Sequence, residues 1–168
     1  MTATGTPSDP AATEADRTLL LAAVAAARRA REAGNHPFGA LLVGPDGAVL
    51  LEAENTVVTG RDATGHAETN LVRLSTARYD AGFLSRCSLY TSTEPCAMCA
   101  GAVYWSGIGR VVYALGEDEL RAMTGADEKN PTLALPCRRV FAAGQRDLPV
   151  VGPVDTDGAR EVHRDFWG

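Results

Sequence analysis

Apolar residues recur along this chain with two different periods, and each change of period marks a new element. Residues 14–33, EADRTLLLAAVAAARRAREA, are rich in the strong helix formers Ala, Leu and Arg, and Gly34-Asn35 supplies a stop, so a long first helix is predicted. FGALLVGPDGAVLLEAEN (38–55) is two apolar runs around Pro45-Asp46-Gly47, a hairpin signature. HAETNLVRLSTAR (66–78) places Ala67, Leu71 and Leu74 at i, i+4 and i+7, one buried stripe of a second helix. CSLYTS (87–92) reads as a strand, residues 96–106 as a helix with Cys99 and Val103 inward, and RVVYAL (110–115) as a buried strand. That strand–helix–strand unit predicts parallel pairing. Further on, 117–124 reads as helix, 125–136 as a long loop, 149–154 as a short edge strand and 156–167 as a last helix. The order describes an α/β sandwich, with a flexible tail over 1–13 and a single domain over 14–168.

Composition changes this picture little. The chain has 168 residues, 45% hydrophobic and 22% charged, as in an ordinary domain large enough to bury a core. Sixteen Lys and Arg against 21 Asp and Glu give a net charge of −5, which disfavours a broad nucleic-acid face. The basic cluster Arg28, Arg29 and Arg31 reads as a solvated helix face. The first 13 residues lack the pattern of a secretory leader. The longest apolar run, Leu19 to Ala27, falls short of the about 20 residues a membrane span needs. A cytoplasmic protein is expected, in which four cysteines suggest a metal or buried thiols before disulfides.

The candidate chemistry begins at EPCAMC (94–99). Cys96 and Cys99 lie three apart and share one helix face, and Pro95 suits a first helical turn. Thiols at the positive end of a helix favour the thiolate form that a metal needs. Core packing and a redox pair are the alternatives for the bare C-x-x-C. Upstream, TGHAET sets His66 and Glu68 at the mouth of another helix. One imidazole and two thiolates are good zinc ligands, and three protein ligands leave a fourth position for water, whose pKa the metal lowers towards about 7. Glu68 then has no need to ligate and is placed to act as general base and acid. A zinc site closed by Cys87 or Cys137 is the structural alternative. It leaves Glu68 without a role, and both cysteines read as buried thiols.

His66-Ala67-Glu68 followed by Pro95-Cys96-Ala97-Met98-Cys99 resembles the zinc-dependent cytidine-deaminase superfamily, whose signature is H-x-E…P-C-x-x-C. The likeness covers residues 15–115 and a looser tail. It implies a three-layer α/β/α sandwich with a five-stranded mixed sheet, Zn2+ held by His66, Cys96 and Cys99, and Glu68 as proton shuttle. STEPCAMCAGAVYW is similar to the branch containing guanine deaminase, tRNA adenosine deaminase and yeast-type cytosine deaminase, with the Tyr104-Trp105 pair most like guanine deaminases. The resemblance implies that Asn55 orients the base; by itself, Asn55 is equally a strand-end turn residue. Phe38 and Trp105 are candidate walls of a stacking slot, with core packing as the alternative. The backbone N–H groups of Ala67 and Cys96 open helices and face ring oxygen in this reading. The resemblance also implies that Asp127 contacts a purine and that a C-terminal helix carries Phe166 or Trp167 over the site. His36 and His163 read as surface or structural residues. The expected function is hydrolytic deamination of a free nucleobase, guanine first, in a homodimer without membrane contact. The alternatives are cytosine, a nucleoside or a triazine as substrate, tRNA adenosine deamination, and a silent zinc-stabilised module.

Overall fold

The computed structural model describes residues 10–125, 127–128 and 130–167. Of the expected flexible tail, residues 1–9 lie outside the described residues. Ala12 already packs against the core, and Thr13 caps the first helix, α1 (Glu14–Glu32), so the fold reaches further towards the N-terminus than expected. Thr13 and Asp16 form a reciprocal cap: Asp16 N–H donates to Thr13 Oγ1 at 3.1 Å, and Thr13 N–H to Asp16 Oδ2 at 2.9 Å.

The hairpin is β1 (Gly39–Val43) and β2 (Val49–Glu54), antiparallel, with the register slipping between Leu42 and Val43. Short α2 (Val57–Gly60), α3 (Ala67–Arg78) and α4 (Ala81–Leu84) follow. Then come β3 (Ser88–Thr93), α5 (Ala97–Ser106), β4 (Arg110–Leu115) and α6 (Glu117–Thr124). The described part of the loop leads to α7 (Cys137–Ala142), β5 (Val150–Val151) and one 3-10 turn at Glu161–His163. The sheet order is β2-β1-β3-β4-β5. β1 is antiparallel to β2 and β3, while β3, β4 and β5 are mutually parallel. The five-stranded mixed sheet and the strand–helix–strand unit hold as expected.

Strand alternation divides the core into two layers. Leu41, Val43, Tyr90, Val112 and Ala114 face α1, which lays Leu20, Ala23, Val24 and Ala27 against them. Ala40, Leu42, Leu89, Val111 and Tyr113 face the opposite layer, built with Leu71 of α3, Val103 of α5 and Phe141 of α7. Gly39 permits the close approach of β1 to α1: a Cβ there would lie 2.5 Å from the backbone nitrogen of Ala27. No helix among the described residues is long and apolar enough to cross a membrane.

Four expectations change. Leu74 is 44% exposed, and the buried face of α3 runs through Ala67, Glu68, Leu71, Val72 and Ser75. Turning Glu68 inward rotates the helix away from the purely apolar stripe, because adjacent positions lie about 100° apart. The last helix is replaced by the single 3-10 turn and extended chain. Arg28 and Arg29 are exposed as expected, with Arg29 in surface pairs to Glu52 and Glu54 at 2.8 and 2.7 Å, but Arg31 is an anchor that donates to the carbonyls of Val162 and Arg164. Finally, α2, α4 and α7 stand where no helix is expected, because four to six residues are too short for a periodic signal.

Candidate active site

Two helices begin at one point beyond the ends of the sheet strands. His66 is the N-cap of α3 and Cys96 the N-cap of α5, both with extended backbone, and neither side chain caps its own helix. Both are thereby left to face a common centre. Cys96 Sγ lies 3.6 Å and Cys99 Sγ 3.5 Å from His66 Nδ1. A tetrahedral zinc with Zn–N of about 2.0 Å and Zn–S of about 2.3 Å requires an N···S edge of about 3.5 Å. The separations match, all three donor atoms lie within 4.8 Å of one another, and the set is the borderline-soft one zinc prefers. Thr69 Oγ1 contacts Cys99 Sγ at 3.3 Å. Hydrogen bonding from Cys99 and the neighbouring imidazole hold the Cys96 thiol well below its ordinary value, which favours the thiolate a metal needs.

Glu68 is buried in the first turn of α3. Its Oε1 accepts the Thr91 hydroxyl at 2.8 Å, while Thr91, on β3, points to the α3 layer. Oε2 lies 3.6 Å from Cys99 Sγ. Burial and then the nearby Cys96 charge raise the Glu68 carboxyl above the usual range, so it holds a proton more readily than an exposed acid. Thr91 was not singled out from the sequence. Its inward position follows from alternation with Leu89, but a threonine in a strand carries no signal of its own.

Glu94 is the buried residue between β3 and the cysteine turn. Its Oε2 accepts Glu117 N–H at 3.0 Å and its Oε1 accepts Cys137 N–H at 2.9 Å. These are first-turn amides of α6 and α7, whose N-cap residues Gly116 and Pro136 offer no side-chain cap. One carboxylate therefore caps both helices from outside and suspends the segment between them.

That segment roofs a cavity of about 340 Å³. Asn130, Pro131, Thr132 and Leu133 form the roof; His66, Glu68 and Cys96 the floor; and His36, Phe38 and Val57 one side. Glu94 and Glu117 line it too, and among the described lining residues there is neither Lys nor Arg.

The predicted contacts divide. Phe38 lines the cavity. Asn55 is 1% exposed beside Val57: its Oδ1 accepts Val57 N–H at 3.0 Å, and its Nδ2 has no partner. The turn role is thus real and leaves one buried donor over. The backbone N–H of Ala67 is a first-turn amide of α3, where no intrahelical acceptor exists. Trp105 is not a wall. It is 85% exposed on the outer side of α5, because Cys99 and Val103 set the inward face and Trp105 lies well round from both. Phe166 and Trp167 stand outside the lining and pack edge-on against His36, with centroids 6.0 and 5.4 Å away. They brace the wall from behind. His36, read as a surface or structural residue, belongs to that wall. His163 is buried, and its Nδ1 accepts the Trp167 indole N–H at 3.2 Å. Asp127 is not brought to the lining; its carbonyl accepts Asn130 N–H at 3.1 Å, so it shapes the roof through the backbone. Cys87 and Cys137 are buried free thiols, apart from the metal triad.

A mixed sheet with an imidazole–dithiolate triad at its strand ends and a carboxylate beside it defines a zinc-dependent enzyme that hydrolyses a ring amine. The cytidine and deoxycytidylate deaminase zinc-binding region matches residues 13–115, and the chain belongs to that family. It is 41% identical over 155 residues to a probable cytosine deaminase of Schizosaccharomyces pombe, covering 92% of this chain and 93% of that protein. It is 45% identical over 98 residues to guanine deaminase of Bacillus subtilis, covering 58% of this chain and 62% of that protein, less than two thirds of its length. The solved structure of guanine deaminase from Nitrosomonas europaea superposes with a TM-score of 0.71 at 28% identity, over 96% of this chain and 87% of that one.

Proposed function

We propose that this deaminase acts on a free nucleobase or a close analogue, with guanine as the leading substrate and cytosine as the second. The observation that carries the reading is the composition of the cavity: a metal triad and Glu68 at the floor, Phe38 at the side, and three glutamates with no cation among the described lining residues. An acidic, roofed cavity suits a neutral planar ring and opposes the phosphate of a nucleotide or of tRNA. Guanine is supported by the likeness to the Nitrosomonas enzyme over nearly the whole chain. Cytosine is supported by the 41% identity to the Schizosaccharomyces protein.

Zinc held by His66, Cys96 and Cys99 supplies an activated water at neutral pH. The protein's own groups do the rest. Phe38 flanks the ring, and Asn55, outside the lining but bonded to the lining residue Val57, has a free Nδ2 to donate to a ring acceptor. Thr91 fixes one oxygen of Glu68 and leaves Oε2 to handle protons. Glu68 takes a proton from the attacking water and gives it to the ring nitrogen beside the amine-bearing carbon. It then passes the second water proton to the departing amine. Oxygen replaces nitrogen at that carbon, the C–N bond breaks, ammonia leaves and a carbonyl remains. Phe166 and Trp167 take part by holding His36 in place, and Asp127 by shaping the roof. A homodimer and a cytoplasmic setting belong to the same proposal. Trp105, 85% exposed, is an apolar residue that a partner copy would cover, and the four free cysteines suit a reducing compartment.

The test is ammonia release from guanine, cytosine, adenine, their nucleosides, triazines and tRNA. Turnover of guanine or cytosine well above that of the nucleosides is expected. Turnover of tRNA alone overturns the free-base reading.

A further inference from the structure

One buried acid in the cavity has no part in the chemistry above. Glu117 opens α6, is 6% exposed and lines the cavity. Its backbone is held by the bond from its N–H to Glu94, so its place in the wall is fixed before any ligand arrives. Among the described residues its carboxylate receives no hydrogen bond and no ion pair, whereas Glu68 has Thr91 and Glu94 has two amides. Burial, with Cys96, Glu94 and Glu68 nearby, pushes its carboxyl up to about 7. Its oxygens open onto the cavity with no donor from the described protein, so a ring that displaces water from that wall has to supply the donor itself.

We infer that Glu117 is a substrate-recognising residue: its carboxylate accepts a hydrogen bond from a ring N–H of the bound base and so selects rings that present a donor on that edge. This rests on the free-base reading. Its ligand class is a neutral heterocycle with an N–H, as distinct from one substituted at that nitrogen. A site built around such a bond rejects analogues lacking the donor, because the acid is then left unpaired.

The experiment measures binding without turnover. In the Glu68→Gln protein, the Kd of guanine and of cytosine is measured by calorimetry, with Glu117 intact and with Glu117→Gln or Glu117→Met added. The probes include 1-methylguanine, 9-methylguanine and 1-methylcytosine. A charge-assisted bond predicts about 10-fold weaker binding of the parent base in Glu117→Gln and up to about 100-fold in Glu117→Met. Methylation at one ring nitrogen weakens binding similarly when Glu117 is present and has little further effect once it is replaced. Zinc content stays at one per chain in all variants. Unchanged affinity of the parent base overturns the inference, as does equal weakening of every methylated form. In the unreplaced enzyme, kcat/KM within threefold for all the methylated bases overturns it without any Glu117 variant. If neither base binds at all, the free-base reading falls with it; if both bind and Glu117 is indifferent, only the role of Glu117 falls.

Discussion

Two groups of buried carboxylates lie on opposite faces of one sheet, and they are completed differently. On the α1 face, Asp16 is 2% exposed and fully answered: Arg110 grips it with two bonds at 3.0 and 2.9 Å, Tyr90 donates at 2.7 Å, and Thr13 N–H adds a fourth. On the α3 face, Glu68 and Glu117 face a cavity whose described lining offers no cation. Every donor to Asp16 comes from the chain itself, so that cluster can only hold the fold. The second group keeps acceptor capacity in reserve, at the expense of stability, which is the usual mark of a site that waits for a ligand. The difference lies in the partners, since burial is similar for both groups.

The sharpest way to break the comparison is Glu68→Gln. The expected result is a fall in turnover of about 10²–10⁴ with zinc retained, measured by ammonia release and metal analysis. Full turnover would remove the open cluster from the chemistry. Next is Arg110→Ala, which leaves Asp16 charged and unpaired. It should cost about 3–5 kcal/mol in denaturant unfolding while the remaining folded fraction keeps its kcat. A loss of kcat instead of stability would mean that the closed cluster is not merely structural.

Acid pH offers a third test. Burial raises the Asp16 carboxyl, but the bonds from Arg110, Thr13 and Tyr90 outweigh it and hold the group well below its usual 3.8. A depressed acid contributes its stability above the unfolded value and loses it as pH falls through and below that value. Unfolding free energies between pH 5 and 2 should therefore drop more steeply for the native chain than for Asp16→Asn. Parallel curves would break the assignment. Glu117→Gln should act with the opposite sign, raising stability by about 1 kcal/mol, because it removes an unpaired buried charge. The smallest effect is expected at Trp105→Ala, within about 0.5 kcal/mol for the isolated chain. Sedimentation of that variant reads out whether a partner copy covers the position.

Each half of the candidate centre was legible because it is local. His66 and Glu68 sit two apart at one helix start, and Cys96 and Cys99 three apart at another. Such spacing fixes which face each side chain takes as soon as the helices form. The long first helix, the hairpin and the parallel β3–α5–β4 unit were equally readable, from periodicity and turn residues. Two placements differ from expectation. Leu74 was expected inward from spacing, but the rotation of α3 is set by what it packs against; Trp105 was expected at a stacking slot, although Cys99 and Val103, inward as expected, turn it outward.

The sequence by itself determined the long elements and the two halves of the candidate centre, His66 with Glu68 and Cys96 with Cys99, since each half depends on neighbours within one helical turn. Only the tertiary structure decided which carboxylates are answered. Asp16 and Arg110 are 94 positions apart, Glu94 and Cys137 43 apart, and Glu68 and Thr91 23 apart. The physical reason is that a carboxylate's charge and protonation depend on which groups surround it in three dimensions, and no local pattern records that.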